Sequence, residues 1–262
     1  MFPTMSNQVN HSSPYPAGYI RYAFEMHVAY DKVIPCKIPH PKVNELVFEK
    51  VNPADQFDPK WLMTIHLTEI YSIEEVKEIG NTIMDDVVDT LALILNAKVS
   101  EMKVVGYGVT PRPGEGATAH LLVPSPNFSA TGKTGGFKPS TDNIREIQDA
   151  LLRMSGLKHK NLIRLFRYAI NDSHPVVQFM ILYLILYEIQ GNQSEVDRYI
   201  LKVAPTTPQS SSPHTKNLES IYTRLRNEIT HRTNIRPETT MAEIINHLDK
   251  FKRIVRIAIK SI

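Results

Sequence analysis

One cysteine, Cys36, and one tryptophan, Trp61, are all that the 262 residues hold of either type. A single thiol excludes an intramolecular disulfide framework and leaves no Cys-rich metal spacing, so a reducing cytosol is the expected compartment. Long apolar runs are missing too. The most hydrophobic segment, residues 176–189, is interrupted by Gln178 and Glu188, whereas a membrane span needs about 20 apolar residues. That segment reads as a buried helix. Residues 1–18 have no basic start followed by an apolar stretch, which argues for a polar, disordered leader over a signal peptide.

Several chemical signatures are also missing. Gly132-Lys133-Thr134 ends like a phosphate-binding loop, but Asn127 stands where that loop requires glycine, and Gly135, Gly136 and Pro139 prevent an immediate helix. Gly106, Gly108, Gly114 and Gly116 do not match a dinucleotide fingerprint and read as turn residues. No nucleophile elbow is present. The ten histidines are scattered, without the helical spacing and third ligand of a zinc site. His27 and His66 fall inside strand patterns and read as hydrogen-bonded side chains. Cys36, between Pro35 and Lys37, reads as a loop residue with nothing nearby to activate it. No metal and no cofactor is expected.

What the chain does have is 42% hydrophobic and 22% charged residues, enough for a sizeable core. Its net charge of +3 is unevenly spread: residues 1–139 carry 12 basic against 15 acidic side chains, and residues 140–262 carry 18 against 12. The positive field of the second half suits a polyanion such as RNA, although basic helix faces also serve solubility.

Alternating apolar and polar residues predict strands over 19–30, 44–51, 61–70, 102–109 and 117–123. Ser72 and Glu75 form a capping box at the start of a helix that runs to about residue 97 on Val76, Ile79, Ile83, Val87, Leu91 and Leu95. Residues 124–141, rich in Pro, Gly, Ser and Thr, read as a domain boundary. Helices are expected beyond it, over 143–155, 161–169, 176–190, 194–202, 216–231 and 240–261, with a polar Pro/Ser loop at 204–216. The expected fold class is α+β: a small sheet-plus-helix domain of unknown role at 19–139, then an all-helical bundle at 140–262. In the last helix Met241, Ile244, Leu248, Phe251, Val255, Ala258 and Ile262 step by alternating threes and fours, the seam of a helix packed lengthwise on a neighbour, inside its own bundle or on a second subunit.

Arginine supplies a permanent planar cation for phosphate, and histidine takes and gives a proton near neutral pH. Arg21 with His27, Arg153 with His159, Arg167 with His174, and Arg224 or Arg226 with His231 all have similar spacing, so spacing alone selects none of them. Arg226 differs in being followed directly by Asn227. On a helix of about 100° per residue, Asn227 and His231 lie within about 40° of each other, whereas Arg226 is about 140° from His231 and must reach round unless the helix ends between them. Thr233, Asn234 and Pro237 indicate a helix end just after His231.

Arg226-Asn227-(x)3-His231, before a final long helix in an all-helical half, resembles the signature of the HEPN superfamily. More loosely, the whole chain resembles the methylamine-utilisation J-like proteins, on its strand-rich first half and on Leu165-Phe166-Arg167-Tyr168-Ala169 before the apolar helix. The first resemblance implies a metal-independent endoribonuclease, acting as a homodimer that brings two motifs over one RNA strand. His231 would serve as general base on the ribose 2′-hydroxyl or as acid on the leaving oxygen, Arg226 would neutralise charge on the phosphate, and Asn227 would orient His231 or hold a phosphate oxygen. Arg224, Arg232 and Arg236 are the accompanying candidates for substrate binding, and Glu188 is the candidate partner that orients Arg226. A catalytically silent, dimerising module that binds RNA or a nucleotide is the alternative, and a purely structural interaction partner is a third. For Arg226 and His231 the bland reading is a paired arginine and a cation that suits a helix C-terminus.

Overall fold

Alternation of apolar and polar residues converts directly into a sheet with one face covered. The computed structural model describes residues 17–26, 33–51, 60–110, 119–122, 141–152, 159–212, 218–231 and 237–262. Strands β1 (Ala17–Glu25), β2 (Ile34–Cys36), β3 (Val43–Val51), β4 (Lys60–Thr68), β5 (Lys103–Thr110) and β6 (Ala119–Leu122) form an antiparallel sheet in the order β2-β3-β4-β1-β5-β6. The register sets Phe24 opposite Trp61, Tyr22 opposite Met63, and Ile20 opposite Ile65, while Phe48 and Leu46 flank Met63 and Ile65 from β3. Directly opposed residues share a face, and all eight are buried. The Trp61 indole N–H donates to the Met26 carbonyl at 3.2 Å, so this large ring is buried without an orphaned donor.

Helix α1 (Ile73–Leu95) lies on that face. Ser72 caps it, its hydroxyl accepting from the Glu75 amide at 3.1 Å. Glu75 returns to the Tyr71 amide at 3.0 Å, one residue upstream of the expected capping-box partner, and its other oxygen pairs with Lys42. Asn96 ends the helix in the left-handed region, φ 49°. Gly80 allows the close approach to the sheet: a Cβ built there would lie 2.6 Å from the Tyr22 hydroxyl and 2.8 Å from Ile20 Cγ2.

From Val87 to Leu95 every residue of α1 is buried, because helices pack on its second side. These are α2 (Thr141–Leu152) and α3 (Lys160–Asn171), both in contact with α1. Ion pairs bind α3 to α1: Lys160 to Asp86, and Arg164 and Arg167 to the buried Asp89 at 3.4 and 2.8 Å. Asn171 makes a two-point clasp on the backbone of Val99, accepting at 3.3 Å and donating at 3.0 Å. Gln148 of α2 donates to the carbonyl of Pro35 in β2 at 2.8 Å. The expected boundary at 139/140 falls outside the described residues, yet the buried hydrophobic side chains on both sides of it belong to one cluster.

Helices α4 (Pro175–Gln190), α5 (Gln193–Val203), α6 (Ile221–His231) and α7 (Pro237–Lys260) complete the chain. Phe251 of α7 centres an aromatic group, 5.2 Å from Phe179 and stacked on Tyr222 at 4.4 Å between ring centroids. Of the expected α7 seam, Ile244, Leu248, Phe251, Val255 and Ala258 are buried, with α7 packed on α4, α6 and α3 of the same chain. Ile262 is 48% exposed at its end.

Four expectations need correction. Gly106 and Gly108 lie inside strand β5, opposite Arg21 and Tyr19 of β1, and are not turn residues. Cys36 belongs to edge strand β2, not to a loop, and is buried with its thiol pushed up to about 12 by burial. The loop at 204–216 contains strand β7 (Gln209–Ser211), which pairs with β8 (Leu218–Ser220). Consequently α6 starts at Ile221 rather than at residue 216. The first strand ends at Glu25, and the rest of its expected span, 27–30, lies outside the described residues. Among the described residues, no helix is long and apolar enough to cross a membrane.

Candidate functional site

The site is built on α6, and the placement of α6 depends on its first turn. Ser220, the last residue of β8, accepts from the Thr223 amide through its hydroxyl at 3.3 Å, as an N-cap does. Asp197 of α5 accepts from the Ser220 amide at 3.0 Å and from the Thr223 hydroxyl at 2.7 Å. The Tyr183 hydroxyl of α4 lies 3.1 Å from the same Thr223 oxygen. Ser220, Thr223 and Tyr183 are buried, Asp197 is partly buried, and burial pushes the Tyr183 phenol up to about 12. A net of hydrogen bonds among buried polar groups fixes geometry, since losing one partner strands the others. The start of α6 is therefore tied to both α4 and α5.

One turn further along α6, Arg226 and Asn227 meet. Arg226 Nη1 donates to Asn227 Oδ1 at 3.0 Å, and the guanidinium carbon stands 5.9 Å from the centroid of the Tyr183 ring. Asn227 Nδ2 donates to Glu219 Oε2 at 3.1 Å. Arg226 and Asn227 are both partly exposed, whereas Glu219 is 3% exposed. A cation held in this way presents a fixed hydrogen-bonding edge to an anion, the arrangement that stabilises negative charge with little reorganisation.

The other expected residues are placed differently. Arg224 faces α7: it pairs with Glu228 at 2.7 Å and with Glu243, while Thr240 donates to the second oxygen of Glu228 at 3.1 Å. Its charge is matched by two carboxylates within the fold. Glu188 is exposed, two residues before the end of α4. The carboxylate joined to the Arg226–Asn227 pair is Glu219. Sequence reasoning missed it because a helix starting at residue 216 turns Glu219 into an ordinary first-turn acid. The signal that would have found it is Ser220 with Thr223, a capping pattern that sets the helix start one residue after Glu219.

His231 is the last residue of α6, and its side chain lies outside the described residues, as do Arg232 and Arg236. The helix does not end between Arg226 and His231. Seven residues bring a helix back to within about 20° of the same stripe, so the backbone of His231 shares the α7-facing stripe of Arg224, whereas Arg226 belongs to the stripe that meets Tyr183.

Among the described residues, no group of three His, Cys, Asp or Glu could hold a metal ion. The small cavity between the sheet and α1, lined by Met26, Trp61, Leu91 and Ile147 among others, offers only apolar walls. Compared with family models, curated proteins and solved structures, the chain matches none of them.

Proposed function

We propose that the chain is a metal-independent endoribonuclease of HEPN type, working in the cytosol as a homodimer, with its sheet portion restraining or recruiting. The observation that carries this reading is the Arg226 guanidinium, partly exposed and held by Asn227, in an Arg-Asn-x3-His pattern on the penultimate helix. In the proposed reaction His231 removes the proton of a ribose 2′-hydroxyl, the freed oxygen attacks the adjacent phosphorus, and the 5′-oxygen leaves with a proton, giving a cyclic phosphate end. Arg226 offsets the charge that builds on the phosphate oxygens. The two positions lie on different stripes of one α6, which is why the proposal includes a second copy to complete the pair over one strand.

One observation favours a second reading, a silent module that binds RNA or a nucleotide without cutting it. The Arg226–Asn227 pair is already partnered within the fold, through Glu219. Incubating labelled RNA with the protein in excess EDTA, beside Arg226→Ala and His231→Ala, separates the two. Cleavage by the wild type alone, leaving cyclic phosphate, supports the nuclease. Binding without cutting supports the module. Cutting that survives both substitutions comes from a contaminant and counts against the nuclease.

A further inference from the structure

Resting on the reading of Arg226 and Asn227 as the anion-facing pair, we infer that Glu219 is the positioning residue of the site: it sets which way the Asn227 amide faces, and through that amide where the Arg226 guanidinium sits. Glu219 is buried at 3% exposure in β8, and its side chain reaches eight residues forward, past the first turn of α6, to Asn227. A carboxylate accepts and does not donate, and a guanidinium donates and does not accept, so an amide between them has one satisfactory orientation. Its NH2 must face Glu219 and its oxygen must face Arg226, as the 3.1 and 3.0 Å contacts have it. Turning the amide over would set carbonyl against carboxylate and NH2 against guanidinium. Without Glu219 both orientations are open, and Arg226 loses a fixed acceptor that holds it beside the Tyr183 ring.

Glu219 has no surface on which to meet RNA; its role is exerted through Asn227. Its other oxygen, Oε1, is buried with no hydrogen-bond partner, and the Ser210 hydroxyl on the paired strand is likewise buried and unpartnered. Burying a carboxylate is costly, so stability alone is a poor explanation of Glu219. It is explained by the constraint it places on Asn227.

The experiment is a polarity swap. Glu219→Gln presents either an oxygen or an NH2 to Asn227 and so removes the constraint. Adding Asn227→Asp restores it, because a carboxylate at position 227 accepts from both sides and the new amide at position 219 donates to it. In the full-length protein, nitrogen-15 NMR of the Asn227 amide and the Arg226 guanidinium, assigned with Asn227→Ala and Arg226→Lys, should show both signals displaced and broadened in Glu219→Gln, and the guanidinium signal recovered in the double variant. On RNA, kcat should fall about tenfold or more in Glu219→Gln, as a misplaced catalytic group requires, with KM unchanged or lower because a negative charge near the site is gone; the double variant is read by NMR alone, since position 227 itself faces the anion. Wild-type NMR signals in Glu219→Gln, or a double variant no better ordered than the single one, overturns the inference. Should Glu219→Gln fail to fold, the double variant against the wild type gives the same decision. If NMR follows the swap but no protein cuts RNA, the positioning role stands and the nuclease reading fails.

Discussion

Two arginines two residues apart on α6 have opposite assignments. Arg224 neutralises Glu228, which is 9% exposed, so Arg224→Ala takes the cation from a buried carboxylate and should cost about 2–3 kcal/mol. Arg226, partly exposed and held by an amide and a ring, should cost about 1 kcal/mol or less when replaced by Ala. Urea unfolding of the two variants measures both values, and a larger loss for Arg226→Ala would make it a structural residue. The sequence made Arg226-Asn227 legible as letters, because a polar amide follows only one of the candidate arginines. Arg224 with Glu228 four residues on is a local helical pattern, but the second partner that ties it to α7, Glu243, is nineteen residues away on another helix and was not legible.

Helix α1 shows how far local pattern carries. Its capping residue, apolar period and end are all readable, as those signals lie within the element itself. Its approach to the sheet was not readable, because it depends on Gly80 facing Tyr22 and Ile20 of β1. Helix propensity alone favours Gly80→Ala by about 1 kcal/mol. Overpacking against two side chains that are fully buried opposes it by about 1–3 kcal/mol, and Tyr22 is further held by its hydrogen bond to Asn81 at 3.3 Å. Net destabilisation on thermal unfolding is the expected outcome, and a raised midpoint would mean that Tyr22 yields easily. The short elements were hidden for a different reason. Strand β2 has three residues, one of them proline, and β7 is Gln-Ser-Ser, so neither offers an apolar alternation to read.

For the whole molecule, the sequence suggested two parts joined by a polar stretch. The buried residues on both sides of that stretch belong to one cluster, with α1 between the sheet and the helices. A hint was present in residues 87–95, where the apolar stripe of α1 widens until it goes all round, the pattern of a helix covered on two sides. Shared burial of this kind predicts a single cooperative transition. Trp61, the only tryptophan and buried in the sheet, reports one side of α1, and far-ultraviolet circular dichroism reports chiefly the helices on the other. The two unfolding curves should have the same midpoint. Separate midpoints would favour the two-domain division.

The outer strand of the sheet has one more consequence. Where β2 runs along the border, Pro35 has no amide hydrogen to offer, and its carbonyl is already occupied by Gln148 of α2. A stray extended peptide, or a neighbouring copy at the crowded concentrations of expression, finds neither donor nor acceptor at that residue to begin zipping onto the row. At that residue the proline and one amide from a helix close the border together, and losing Gln148 would free the carbonyl.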